Sequence, residues 1–231
     1  MSWEDLGEWW IDELTSDPAY EDEIGPHLID LLDPEPGLLY LDIGCGEGRM
    51  MDRVASVGAR VIGCDHNSKL LQRAVSRRPV VRLLLPDLGC LKKRAFDGAL
   101  VGLVLEHLAD EIGFFRQVAR VIRRGGTLAV VINHPIWTAP QSSPIEQADG
   151  EVLWRPGKYF GRGYSDEPAG HMKVRFYHRT LSALLGAASD SGWDLRRITE
   201  SGISPAQLAR FPQYAGQEQI PRLLGLSWRR R

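Results

Sequence analysis

The stretch Leu39-Tyr40-Leu41-Asp42-Ile43-Gly44-Cys45-Gly46-Glu47-Gly48 limits what this chain can fold into more than any other: an apolar run passes without interruption into alternating glycines. A nearly continuous apolar run predicts a strand covered on both faces, as in a parallel sheet, and glycines let the backbone turn sharply and approach a ligand closely. Arg49–Val57 then reads as a helix. Strand, glycine turn and helix at the C-terminal edge of a parallel sheet form a nucleotide-binding feature, although one such turn alone is weak evidence. Two details narrow it. The dinucleotide fingerprint G-x-G-x-x-G needs its third glycine where this chain has Arg49. Asp42 stands at the strand end, where a pyrophosphate meets a like charge but a ligand carrying an ammonium and a sulfonium is attracted.

The following segments repeat the alternation. Ala59–Asp65 reads as a second strand ending in an acid, and Asp65 follows Asp42 at about the twenty-residue offset from which a carboxylate reaches the ribose hydroxyls of a nucleoside at the first turn. Two vicinal hydroxyls donating to one ionised carboxylate is a strong, directional arrangement, hence an acid there rather than an amide. Asn67–Ser76 reads as a helix, Val80–Leu85 as a third strand closed by Pro86-Asp87-Leu88, and Phe96–Leu105 as a fourth followed by Glu106-His107-Leu108. Asp110–Arg124 places Ile112, Phe115, Val118, Ala119 and Ile122 on one helical face and stops at Gly125-Gly126, before a fifth strand Thr127–Asn133. Strands alternating with helices predict an α/β fold, a doubly wound and mostly parallel sheet with helices on both faces. Ahead of it, Trp3–Leu14 and Tyr20–Leu32 read as two helices broken at Asp17-Pro18.

In this order the motifs resemble the class I S-adenosylmethionine-dependent methyltransferases. Asp42 with Gly44-x-Gly46-x-Gly48 is similar to that family's first motif. Leu105-Glu106-His107-Leu108 is similar to the run found in its ubiquinone- and biotin-pathway small-molecule type. Val121–Leu128 is similar to its helix-Gly-Gly-strand motif, and Tyr177-His178-Arg179-Thr180-Leu181-Ser182 to a helix entry followed by a strand, here Trp193–Glu200. The resemblance implies a Rossmann-like sheet of seven strands, the last of them, Arg222–Arg229, inserted antiparallel, and S-adenosyl-L-methionine as cofactor. It carries cofactor contacts over to Tyr20, Asp42, Gly44, Cys45, Gly46, Asp65, His66, Asp87, Leu88 and Leu103. Tyr20 would close over the methionine end, while the Asp87 carboxylate and the Leu88 amide would meet the adenine.

Composition bounds the partners. At 231 residues the chain suits a single domain, organised as a helical segment 1–37, a cofactor-binding core 38–133, an inserted lid 134–178 and a C-terminal part of the sheet 179–231. A net charge of -2 supplies no global field to draw nucleic acid, and the basic tail Arg229–Arg231 reads as a solvated terminus. No apolar run is long enough to span a membrane, and the acidic start is unlike a secretory signal. Cys45, Cys64 and Cys90 are odd in number and lack C-x-x-C spacing, which suits a reducing cytoplasm and offers no zinc site. Monomer and homodimer are both open.

His134–Arg175 breaks the alternation with many glycines and prolines and with Trp137, Trp154, Tyr159, Phe160 and Tyr164. Placed after the fifth strand, it is expected to form a substrate lid, partly paired as a hairpin, whose aromatics wall the site. Methyl transfer from a sulfonium is an in-line displacement, so positioning and exclusion of water supply most of the catalysis and a base is needed only where the acceptor holds its proton tightly. The candidate bases are His134, His107 and Glu106, each with a plain alternative as strand-end residue, packing residue or pocket lining. No Asn-Pro-Pro-Tyr follows the fourth strand, no Pro-Cys pair stands ready to attack cytosine, and no acid cluster suggests magnesium. A small-molecule acceptor methylated on oxygen, nitrogen or carbon remains. The alternatives are an RNA or protein methyltransferase, a nicotinamide-dependent oxidoreductase and a non-catalytic binding module.

Overall fold

A computed structural model describes residues 4–16 and 19–231. Helix α1 is Gly7–Ser16; Trp3 and the Asp17-Pro18 break lie outside the described residues. A π-helical turn at Tyr20–Ile24 runs straight into α2, Gly25–Leu32. The core follows as β1 Leu39–Ile43, α3 Arg49–Ser56, β2 Arg60–Asp65, α4 Ser68–Ala74, β3 Val80–Arg82, β4 Phe96–Gly102, α5 Glu111–Val121 and β5 Ile122–Asn133. Then come α6 Pro135–Thr138, β6 Ser143–Glu146, β7 Val152–Arg155, β8 Gly163–Ala169, β9 Met172–His178, α7 Leu181–Asp190, β10 Trp193–Ser201, α8 Pro205–Arg210 and β11 Leu223–Arg230.

Seven strands form one sheet in the order β10-β11-β5-β4-β1-β2-β3, with β11 antiparallel to both its neighbours and the other pairings parallel. The period of two along each strand divides the core. Leu41 and Ile43 of β1, Ala99 and Val101 of β4, and Leu128, Val130 and Ile132 of β5 pack toward Phe114, Phe115 and Val118 of α5 and Leu184 of α7. The intervening Tyr40, Leu100, Ala129 and Val131 pack toward Leu28 of α2, Met50 and Val54 of α3 and Leu71 of α4. Burial on both faces explains why these strands read as unbroken apolar runs. Because β1 lies between β4 and β2, the chain leaves the sheet in opposite directions after β1 and after β4. A crevice opens there at the strands' C-terminal ends, the position where open α/β sheets bind ligands.

Several boundaries differ from the sequence expectation. β3 stops at Arg82, three residues early, and β4 stops at Gly102, where Leu103 takes a left-handed φ of 54° and donates its amide to the Val131 carbonyl at 2.8 Å. The helix expected to reach Arg124 ends at Val121, because Ile122 is drawn into the core as the first residue of β5. Gly125 and Gly126 therefore form an irregularity inside that strand, where Phe96 pairs with Ile122 but Gly98 with Thr127. A side chain at Gly126 would meet the Asp97 carbonyl oxygen at 2.4 Å, so the tight path needs glycine. The lid region is two hairpins, β6 with β7 and β8 with β9.

Candidate active site

A cavity of about 640 Å³ fills the crevice, a volume within the range of small-molecule sites. Its floor is the turn after β1. Gly44, Gly46 and Gly48 all have positive φ, and the first two differ in what surrounds them. A Cβ on Gly44 would strike Val104 of the β4 turn at 2.4 Å, so the two turns can close on each other only with glycine there. A Cβ on Gly46 would have no neighbour nearer than 3.7 Å and would project into the cavity instead.

The Asp65 carboxylate is held by backbone on both oxygens: the Gly46 amide donates to Oδ2 and the Asn67 amide to Oδ1, each at 2.9 Å. These two bonds fasten the β1 turn to the β2 turn and orient the carboxylate, whose remaining lone pairs face the cavity it lines. Asn67 in turn caps α4 by accepting from Leu70 at 3.0 Å. Asp42 sits behind the turn, 3% exposed, with Oδ2 lacking a hydrogen-bond partner. Burial, and secondarily the charge of Asp65, pushes its carboxyl up to about 8.

Two segments roof the cavity. Leu6 and Trp10, one helical turn apart, and Tyr20 come from the N-terminal part; Asp166, Lys173, Val174, Arg175 and Tyr177 come from the β8–β9 hairpin. Roof meets roof in a small apolar cluster of Leu6, Trp9, Ala169, Met172, Val174 and Phe176, separate from the main core. Glu21 ties the first segment down through Arg49 at 3.4 Å and Arg53 at 2.7 Å. Burial raises the Tyr20 hydroxyl well above its ordinary range, with the nearby Asp42 charge adding to it.

Beneath the hairpin, on a 3-10 turn Leu105–His107, His107 lines the cavity. Its Nδ1 lies 2.8 Å from the Arg175 carbonyl oxygen, and its ring stands edge-on to Phe176 at 4.6 Å. A carbonyl only accepts, so Nδ1 carries the proton and Nε2 the lone pair. Burial lowers the imidazole to about 4, and it is neutral at physiological pH.

The structure thus gathers Tyr20, Gly44, Cys45, Gly46, Asp65, His66, Leu103 and His107 around one cavity, with Asp42 directly behind. It does not bring the other expected residues to the wall. Asp87 is exposed and turns back to accept the Gly89 amide at 2.7 Å, and Leu88 is wholly buried in the core; the wall at this turn is Leu84, Leu85 and Pro86. Glu106 is buried, accepts from the Asn133 amide and side chain, and anchors its turn to the end of β5; burial raises its carboxyl to about 7. His134 caps α6 rather than lining the cavity: Nδ1 accepts the Ile136 amide at 3.1 Å and Nε2 donates to Glu200 at 2.8 Å. The lid aromatics also lie elsewhere. Trp137 stacks on Trp154 at 4.7 Å, Tyr159 packs on Phe160 and His178, and Tyr164 lies under the Arg175 guanidinium. Leu6 and Trp10 escaped the sequence reading, although their four-residue spacing put both on one helical face.

The residues present fit S-adenosylmethionine. A buried carboxylate oxygen without a partner suits an ammonium, an oriented carboxylate suits a ribose diol, and apolar Leu84–Pro86 suits an adenine face. Fold and crevice define a nucleoside-binding, doubly wound α/β protein of the methyltransferase type. Residues 41–130 match the family model described as a methyltransferase domain. A solved S-adenosylmethionine-dependent methyltransferase from Mesorhizobium loti is 30% identical and superimposes with a TM-score of 0.79, covering 89% of this chain and 96% of that one. Curated relatives include a ubiquinone biosynthesis O-methyltransferase of Rhizobium rhizogenes, 34% identical over 53% of this chain and 52% of its own length. They also include a probable S-adenosylmethionine-dependent methyltransferase of Mycobacterium tuberculosis, 34% identical over 46% of this chain and 39% of its own length. The chain thus spans about half or less of these curated relatives. It belongs to the S-adenosylmethionine-dependent methyltransferases.

Proposed function

We propose that this protein transfers a methyl group to a small-molecule acceptor seated between the cofactor and the β8–β9 hairpin, with His107 taking the acceptor's proton. The observation that carries the proposal is the placement of a neutral, hairpin-oriented imidazole on the wall of the cavity whose floor is the glycine turn. A double roof over a volume of about 640 Å³ suits a compact acceptor better than a polymer. The likeness to a ubiquinone biosynthesis O-methyltransferase points the same way.

S-adenosylmethionine supplies an electrophilic methyl on a sulfonium, with its leaving group already in place. Asp65 would hold the ribose and Asp42 would attract the ammonium group of the amino-acid end, while Leu84–Pro86 would pack on the base. The roof excludes water from the reacting groups. His107 Nε2 accepts the hydrogen of the attacking group and so points its lone pair forward. An oxygen or nitrogen becomes far more acidic once it bonds to the methyl carbon, so an imidazole weakened by burial is still basic enough to take that proton.

The test is to incubate the protein with methyl-labelled cofactor and, separately, a panel of phenols, catechols and carboxylic acids, total RNA and a protein mixture. Label in an extractable small molecule supports the proposal, and label confined to RNA or protein overturns it.

A further inference from the structure

Arg179 is buried at 8% exposure and does not itself line the cavity, yet two of its four polar contacts go to the two ends of the turn that carries His107. Nη1 donates to the Leu105 carbonyl at 3.2 Å and to the Tyr177 carbonyl at 3.3 Å; Nη2 donates to the Leu108 carbonyl. Nε faces Glu111 Oε2 at 3.1 Å, and that carboxylate is itself buried. One rigid fork therefore binds the carbonyls on both sides of His107 and a carbonyl of β9, two residues beyond the Arg175 carbonyl that receives the His107 Nδ1–H. We propose that Arg179, held by Glu111, is a positioning residue that sets the turn against β9 and thereby fixes the tautomer and orientation of the His107 ring.

The chemistry favours arginine for the task. Three carbonyls at differing angles need a planar, multi-donor cation that stays charged when buried, and a lysine ammonium cannot span them together. A buried guanidinium also needs a countercharge, and Glu111, fixed at the first turn of α5, supplies it. The remaining contacts clamp the two ends of a three-residue turn bearing a cavity-lining imidazole to a strand of the roofing hairpin.

The inference rests on the proposal that His107 is the base, so its test is chosen to be independent of turnover. Long-range proton–nitrogen NMR of the imidazoles, with the His107 signals assigned by their loss in His107→Gln, reports the tautomer directly. In the wild-type protein Nδ1 is protonated and Nε2 is not. The double variant Arg179→Met with Glu111→Gln removes the fork without leaving a buried lone charge. It should let the two His107 nitrogen signals converge as the ring samples both tautomers, while S-adenosylhomocysteine affinity stays within about twofold, because the floor is untouched. If that variant does not fold, Arg179→Lys is read in its place and should show the same convergence, since it bridges fewer carbonyls. With an acceptor in hand, kcat should fall on the order of tenfold at nearly constant KM, as for a misplaced group. A folded variant whose His107 tautomer matches the wild type overturns the inference. Full turnover in His107→Gln would overturn the base assignment instead and leave the NMR result standing.

Discussion

His107 Nδ1 and the Arg175 carbonyl oxygen are 2.8 Å apart, joining a turn at the end of β4 to a strand of the hairpin that roofs the site. This hydrogen bond sets Nδ1 as the protonated ring nitrogen and ties that choice to the hairpin.

His107→Gln should leave S-adenosylhomocysteine affinity nearly unchanged and reduce turnover of a proton-bearing acceptor by about 10²-fold. Because burial holds the imidazole at about 4, wild-type turnover should stay level as pH falls through 6.5 and should drop only near pH 4. The same shift acts on stability. Between about 4 and 6.5 the unfolded chain binds a proton that the folded ring refuses, so the folded state loses stability as pH falls across that window. Acid titration of thermal midpoints for wild type and His107→Gln measures it, and equal slopes would contradict it.

Asp42 predicts the opposite slope. Its carboxyl, pushed up to about 8, keeps a proton that the unfolded chain has released above 3.8, so stability from this group falls as pH rises toward 8. An ammonium group of the ligand brought near Asp42 favours the ionised form. Binding of S-adenosylhomocysteine at pH 7 should therefore release a proton, seen as a binding enthalpy that changes with the ionisation enthalpy of the buffer. Asp42→Asn should abolish that dependence and weaken binding. A buffer-independent enthalpy in the wild type would show that Asp42 does not sense the ligand.

His134→Ala should cost about 1 kcal/mol of stability, the usual price of losing a helix N-cap acceptor, and leave turnover and cofactor affinity intact. The ring is spoken for by the Ile136 amide and Glu200, and burial lowers its pKa despite the pull of Glu200. Loss of turnover without loss of stability would return His134 to the candidate bases.

The contrast between the two histidines shows what the chain discloses and what it withholds. Asp42, Gly44 and Gly46 were legible because the turn's chemistry is carried by consecutive residues, and Asp65 because parallel pairing of adjacent strands sets its offset. His107 and His134 both follow strand ends and look alike in sequence. What separates them is a ring partner 68 residues away in one case and 66 in the other, Arg175 against Glu200. The roof was legible in outline and not in detail. Segment 134–175 was expected to cover the site, and Asp166, Lys173, Val174 and Arg175 of its β8–β9 part do line the cavity, but the large aromatics expected to wall it lie elsewhere, and the hairpin is seated by Leu6 and Trp9 from the far end of the chain. At the third turn, the carboxylate of Asp87 drew attention by its chemistry, yet it satisfies the Gly89 amide locally.

The most direct measurement is calorimetric titration of the wild-type protein and Asp65→Ala with S-adenosylhomocysteine and with NAD. The account predicts binding of S-adenosylhomocysteine, no response to NAD, and a loss of about 1.5–3 kcal/mol in Asp65→Ala, as hydrogen bonds to an ionised group disappear. Binding of NAD without S-adenosylhomocysteine, or wild-type affinity in Asp65→Ala, would contradict it.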